Sequence, residues 1–384
     1  MRTRSAEILS LGARASRLHL LAVTLLIAQL LLSIQPSSAE KKWVFIPGHR
    51  QAVLMDTDQM PAAAPRQTPQ PTARTYATTT ATQPTARRAT DYKDSVLCGG
   101  MKRDFTVHVP PSYDRSRPTP VVLVFHGQGV SVNTMIAATG YNGVSNSNGF
   151  IVVYCQGVKG QWEYGMGRLD RGIDDVAYVN AVLTRLSQTL NVDSQRVYAS
   201  GLSNGGYFVQ ILALSMPEKI AAACVVGSTA MTGGLSRGGS SKPTPIVFFL
   251  GTEDPMINFS DGRAKSLGKF GAKLGIDAIG PEAYALTKYG GWMDVPDTIN
   301  FWTTYNGCGG SARMQNMPDV DPHDGMRVTR ESYGSGWNEV VLYKIEGGTH
   351  SWPGTPNFPG VEAKSCQDID ASQISWQFFK SHPR

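Results

Sequence analysis

Val197-Tyr198-Ala199-Ser200-Gly201-Leu202-Ser203-Asn204-Gly205-Gly206-Tyr207 decides how this chain is read. Residues 197–200 form a short apolar run, and Phe208, Ile211 and Leu212 follow at helical spacing. Between run and helix stands G-x-S-x-G, carried by Gly201, Ser203 and Gly205. A serine at so tight a strand-to-helix turn holds a strained backbone, and glycine at both flanks leaves room for the chain to pass. The turn predicts that the Ser203 hydroxyl stands out above a sheet as a nucleophile. It also predicts that the backbone N–H of Asn204, at the helix start, serves as an oxyanion donor. The plain alternative is a glycine-rich helix entry with Ser203 as its N-cap.

Outward from this turn the sequence alternates strand and helix patterns. Phe105, Val107 and Val109 alternate with Thr106 and His108 and end at Pro110-Pro111, the pattern of an outer strand. Residues 121–125 and 151–154 are continuous apolar runs, as expected of strands buried on both faces of a parallel sheet. Asp174 and Asp175 precede Val176, Val179, Leu183, Leu186 and Leu190 at helical spacing, with the acids at the positive end. Further strands are read at 222–226, 246–250 and 340–345, and a last amphipathic helix at 374–379. The alternation predicts an α/β architecture with a doubly wound, mostly parallel sheet, a single catalytic domain over residues 92–384.

A serine hydroxyl needs a base to take its proton. Of the seven histidines, His19 and His49 lie near the N-terminus, His382 is two residues from the end, and His108 is in the outer strand. With His126 in a loop considered below, His323 and His350 remain. His350 sits in Glu346-Gly347-Gly348-Thr349-His350-Ser351-Trp352-Pro353-Gly354, directly after the strand at 340–345, where the chain order Ser…Asp…His places the base. The orienting acid is expected after 246–250, in Gly251-Thr252-Glu253-Asp254-Pro255. Asp254 is the first choice, Glu253 the second and Asp261 the third. The loop His126-Gly127-Gln128-Gly129 is expected to supply the second oxyanion amide, from Gln128 or alternatively Gly127. His126 is read as shaping that loop at the substrate site, and Trp352 as a wall of the substrate pocket. Trp162 and Trp302 default to packing.

The N-terminus reads as an export signal. An Arg-bearing stretch leads into an apolar run at 18–34, and small residues after Pro36 suit cleavage before Glu40. No later segment is apolar enough to span a bilayer, so a secreted or periplasmic chain with no stable membrane association is expected. Residues 1–39 hold four arginines against one glutamate, half of the overall charge of +6. The remainder is too scattered to argue for nucleic acid as a partner. Residues 40–91 comprise a short segment and a Thr/Pro/Ala-rich linker that cannot bury enough surface to order itself. The five cysteines lack CxxC spacing, which argues against zinc or redox motifs. Cys155 and Cys224 end apolar runs and are read as buried; any disulfide would use two of Cys98, Cys308 and Cys366.

Asp319-Val320-Asp321-Pro322-His323-Asp324-Gly325 has the look of a calcium loop, but its twelfth position is Arg330 where an EF-hand needs a bidentate glutamate. No metal and no cofactor is expected.

Several motifs in order give a family resemblance: Gly99-Gly100…Arg103…Val107-His108-Val109-Pro110, His126-Gly127, Gly201-Leu202-Ser203-Asn204-Gly205-Gly206, Gly251-Thr252-Glu253-Asp254-Pro255, Asn306-Gly307-Cys308 and the loop around His350. From about Cys98 to the last helix the chain resembles the secreted esterases that include polyhydroxybutyrate depolymerases, feruloyl esterases and acetylxylan esterases. The resemblance implies an α/β-hydrolase fold, a triad of Ser203, Asp254 and His350, no cofactor, and an ester substrate. A polyester or oligoester is the leading substrate, with acyl or feruloyl groups on plant polysaccharides as the alternative. Thr349, where relatives commonly carry glycine, and the long stretch 261–292 are departures that bear on substrate rather than chemistry.

Overall fold

The computed structural model describes residues 41–45, 52–56, 89–163, 172–231, 242–254, 256–257, 259, 293–308, 310–356 and 364–384. The export signal and most of the linker read from the sequence lie outside the described residues. In the N-terminal unit, β1 (Lys41–Phe45) and β2 (Ala52–Asp56) pair antiparallel, with Lys41 opposite Asp56 and Phe45 opposite Ala52.

The second unit, residues 83–384, is built on one ten-stranded sheet. In chain order its elements are β3 (Thr90–Cys98), β4 (Met101–Val109), β5 (Thr119–Phe125), α1 (Val132–Thr139), α2 (Tyr141–Asn148), β6 (Ile151–Cys155), α3 (Asp175–Thr189), β7 (Val192–Leu202), α4 (Asn204–Ser215), β8 (Ala222–Val226), β9 (Ile246–Gly251), α5 (Val295–Tyr305), β10 (Arg313–Asn316), β11 (Arg327–Tyr333), β12 (Val340–Glu346) and α6 (Ala371–Lys380). The strands lie in the order β3-β4-β6-β5-β7-β8-β9-β12-β11-β10. The six from β6 to β12 run parallel, and antiparallel pairs extend the sheet at both edges. Each parallel step needs a crossover, and a right-handed crossover places its helix on one face or the other.

The period of two along β5 shows how the faces are shared. Val121, Leu123 and Phe125 join a core with Tyr178 and Val179 of α3, Phe208 and Leu212 of α4, and Ile299 and Trp302 of α5. Val122 and Val124 face the opposite way, onto Met135 of α1, Tyr141 of α2 and Trp376 and Phe379 of α6. Every residue of β5 and β6 is buried, which is why these strands read as unbroken apolar runs. The architecture is the expected doubly wound α/β one, with helices on both faces of a mostly parallel sheet. The helix starts are capped by acids the sequence displays: Asp174 accepts from Ala177 N–H at 2.8 Å, and Asp370 accepts from Gln373 N–H at 2.9 Å.

Within the second unit, three strands and three helices are additions to the sequence reading; β1 and β2 of the N-terminal unit are two more strands. β3 and β10 are edge strands in which no residue is fully buried, so they carry no continuous apolar run. β11 buries only Val328 and Ser332. The short helices α1 and α2 stop at glycines in the left-handed region, Gly140 (φ 62°) and Gly149 (φ 77°). α5 follows Asp294, whose carboxylate accepts from Asp297 N–H at 2.8 Å.

All five thiols are free. Cys308 packs into the core on one face of the sheet and Cys366 into the core on the other, so the sheet itself separates them. Burial pushes the Cys155 and Cys224 thiols up to about 12. One ion pair is also buried: Arg103 Nη2 of β4 donates to Asp175 Oδ1 at 2.6 Å, with side chains 3% and 1% exposed. The guanidinium lies 4.0 Å over the Tyr178 ring, and Asp175 Oδ2 accepts from Glu163 N–H at 2.7 Å. Removing one partner strands the other charge away from water. Asp175→Ala is therefore expected to lower stability by about 3–5 kcal/mol in urea unfolding, far more than Asp114→Ala on the surface.

Candidate active site

The candidate site is assembled at the carboxyl ends of the parallel strands, where open α/β sheets bind ligands. Ser203 bridges β7 and α4 with φ 54° and ψ −120°, a conformation that costs on the order of 1–3 kcal/mol for a residue with a side chain. Neighbouring backbone holds it there. Ser203 N–H donates to Val226 O at 2.9 Å, and Ser203 O accepts from Tyr207 N–H at 2.9 Å. The flanking glycines are required by contact as well as by pattern. A Cβ on Gly201 would overlap Gly205 O, and one on Gly205 would overlap Phe125 O. The Ser203 side chain makes no cap hydrogen bond, so the N-cap alternative has no support in the geometry.

The turns after β9 and β12 are sewn together by backbone. Thr252 N–H donates to Ile345 O at 2.9 Å, Glu253 N–H donates to Gly348 O at 2.9 Å, and Gly347 N–H donates to Thr252 Oγ1 at 3.0 Å. A side chain on Gly251 would overlap Gly348 O. This seam brings Asp254 to His350: Nδ1 and Oδ2 lie 2.7 Å apart, with the carboxylate fully buried and the imidazole 24% exposed. Asp254 Oδ1 accepts from Met256 N–H at 2.7 Å, which leaves Oδ2 aimed at the ring. Glu253, the second choice from sequence, is exposed, and Asp261 lies outside the described residues.

Gly227, at the end of β8, relates the imidazole to the serine. A Cβ built on it would lie 3.2 Å from His350 Cε1 and Nδ1 and 3.7 Å from Asp254 Oδ2, and its φ of 58° excludes most side chains. The residue before it, Val226, is the one that holds Ser203 N–H. Ser203 and His350 thus flank the end of one strand. Among the described residues no hydrogen bond joins Ser203 Oγ to the ring.

The loop after β5 lies against the serine. An ideal Cβ on Gly127 would be 3.4 Å from Ser203 Cβ, Val130 N–H donates to Gly127 O at 3.1 Å, and Gly129 N–H donates to Gly160 O at 2.9 Å. Gln128 is exposed in this loop, and Asn204 is buried at the start of α4. A residue that sequence reasoning left as packing joins the two. Trp162 N–H donates to Asn204 Oδ1 at 2.7 Å, Asn204 Nδ2 donates to Trp162 O at 3.3 Å, and Trp162 Nε1 donates to His126 O at 2.9 Å. Its ring stacks on Phe208, with centroids 5.1 Å apart and planes 4° apart. An aromatic beside a loop gave no sign of this role, because it depends on a contact 42 residues away.

Two expectations about the substrate wall are corrected. His126 is 1% exposed and both ring nitrogens are engaged within the fold. Gly157 N–H donates to Nε2 at 2.9 Å, so Nδ1 carries the proton and donates to Gly127 O at 2.8 Å. Trp352 is 3% exposed, edge-on to Tyr141, and its Nε1 donates to Ser372 Oγ at 3.1 Å. It packs in the core beneath the His350 loop because α6 closes over it. His323 is exposed in the loop between β10 and β11.

Burial holds His126 below its ordinary value of 6.5. Its folded form therefore sheds a proton that the unfolded form still binds. The resulting stability is complete above pH 6.5 and is lost as pH falls below it. Unfolding measured against pH is expected to show wild type losing stability relative to His126→Gln as pH is lowered from about 6.5.

Residues 99–232 match the Esterase family, described as "Putative esterase". "Putative esterase NocK" of Nocardia uniformis subsp. tsuyamanensis is 28% identical over 328 residues, covering 82% of this chain and 91% of its own. Feruloyl esterase D of Neurospora crassa is 22% identical over 73% of this chain and 82% of its own. Poly(3-hydroxyalkanoate) depolymerase C of Paucimonas lemoignei is 24% identical over 67% of this chain and 60% of its own. The chain is a carboxylic ester hydrolase, similar over much of its length to proteins named as esterases, feruloyl esterases and a polyhydroxyalkanoate depolymerase.

Proposed function

We propose that the protein is a secreted serine esterase that works through a Ser203–His350–Asp254 triad and an acyl-enzyme. The observation that carries this reading is the buried Asp254 carboxylate, hydrogen-bonded to His350 at the rim where Ser203 is held in its strained turn. Asp254 accepts from Nδ1–H, which fixes the tautomer and leaves Nε2 as the base. As substrate binds, the Ser203 hydroxyl closes onto Nε2, since catalytic hydrogen bonds of unliganded sites commonly tighten in the complex. Oγ then attacks the ester carbonyl while Nε2 takes its proton. The developing oxyanion is held by the backbone N–H groups of Asn204 and Gln128. The tetrahedral intermediate collapses, the imidazolium protonates the leaving alcohol, and water releases the acyl group by the same steps in reverse order of proton transfer. No cofactor enters the scheme.

Polyester or oligoester substrates of the hydroxybutyrate type are the first choice, supported by likeness to the depolymerase of Paucimonas lemoignei. Esters of plant polysaccharides are the second reading, favoured by likeness to the feruloyl esterase of Neurospora crassa over a larger share of this chain. Export follows the signal-like N-terminus and is checked by N-terminal sequencing of the mature protein, expected to begin at Glu40.

Ser203→Ala is expected to lower kcat on p-nitrophenyl butyrate by about 10⁶-fold and to abolish fluorophosphonate labelling; an unchanged rate would remove the triad. Hydroxybutyrate oligomers, methyl ferulate and acetylated xylan, tested in parallel on wild type, separate the substrate readings. Gly227→Ala is expected to press its methyl group on the imidazole and lower kcat roughly 10²-fold, with labelling of Ser203 slowed in proportion.

A further inference from the structure

The acidic run Asp319–Gly325 does not match a calcium loop, yet the fold gives part of it new partners. It lies between β10 and β11 and meets the segment 364–370 that leads into α6. Ligand atoms of Asp324, Cys366 and Asp368 lie within 4.8 Å of one another. Asp319 is occupied elsewhere, paired with Arg327 at 2.7 Å.

Asp368 is 9% exposed. Its Oδ1 accepts from Val320 N–H at 2.7 Å and Asp321 N–H at 3.0 Å. Its Oδ2 is buried without a hydrogen-bond partner among the described residues. An oxygen of a buried carboxylate in that position is costly unless a cation or donor stands against it. Asp324 is anchored in the same manner, Oδ1 by Met326 N–H at 2.7 Å and Oδ2 by Gln367 N–H at 3.0 Å. The charged groups that face Cys366 Sγ are these two carboxylates, and the amides of Asp368 and Ile369 also face it. Two carboxylates and a thiol crowded together call for positive charge, and one divalent cation supplies it.

We propose that Asp324, Cys366 and Asp368 form a binding site for zinc. The sulfur argues against calcium and magnesium, which take oxygen donors, and a mixed sulfur and oxygen set suits zinc. Zn–S of about 2.3 Å and Zn–O of about 2.0–2.2 Å put neighbouring donors roughly 3.5 Å apart in a tetrahedron, within reach by side-chain rotation. Cys366 binds as thiolate and releases its proton to solvent, and water takes the fourth position. The ion clamps the 319–326 loop to the strap that follows His350. That strap is already tied to the histidine loop: Gly354 N–H donates to Cys366 O at 2.9 Å, and Ser365 Oγ donates to Trp352 O at 2.6 Å.

The test is titration of chelator-stripped, purified protein with Zn²⁺ by calorimetry and with Co²⁺ by absorption. One ion per chain is expected, with a thiolate-to-cobalt charge-transfer band and no heat from Ca²⁺. Asp368→Asn and Cys366→Ser should each weaken zinc binding by about 100-fold or more, since outer-shell partners of metal sites alone are worth 10–100-fold. Asp324→Asn, at a half-buried position, should do the same and serves if either buried variant fails to fold. The proposal is overturned if stripped wild type takes up no zinc, if the cobalt complex lacks the thiolate band, or if the folded variants bind as wild type does.

Discussion

At Gly205 the first turn of α4 approaches the end of β5 so closely that only a hydrogen can occupy the space where a side chain would begin. The rest of the site depends on this contact. It lets the helix start directly over the sheet, forces Ser203 into its positive φ, and brings the loop after β5 against the serine. The strain at Ser203 persists because β8 over-determines it: Val226 O holds the amide, and Gly227 turns away in its own left-handed conformation beside the imidazole. A side chain at any of these glycines would push apart backbones that must touch.

The second organising element is the loop at 156–163. It receives Arg103 on Gln156 O, locks the His126 tautomer through Gly157 N–H, and passes Trp162 between Asn204 and His126. The two amides proposed to hold the oxyanion come from segments 76 residues apart in sequence, Gln128 and Asn204, and this loop is bonded to both segments. The buried Arg103–Asp175 pair stands behind it through Glu163 N–H. An ion pair sealed from water contributes little net stability but makes departure from its geometry costly, which suits a support for groups that must not drift.

Much of the fold was legible because buried parallel strands leave continuous apolar runs: those at 121–125, 151–154, 222–226 and 246–250 all fall inside strands of the sheet. β3, β10 and β11 were not legible: β3 and β10 are edge strands with no fully buried residue, and β11, between β10 and β12, buries only Val328 and Ser332, so none leaves a continuous apolar run. Trp352 stands two residues from His350 and suggested a pocket wall, but sequence proximity says nothing of which way a ring points once α6 closes over it.

The amino-acid sequence by itself determined the α/β alternation, the strand-to-helix turn at Ser203 and its need for glycine, because local sterics and hydrophobic periodicity act over a few residues. Only the tertiary structure decided which carboxylate meets His350, that Cys308 and Cys366 lie on opposite faces of the sheet, that His126 is neutral and enclosed, and that Asp324, Cys366 and Asp368 converge. Those outcomes depend on distances between segments remote in the chain, and they exist only after the crossovers have placed each strand end beside its neighbour.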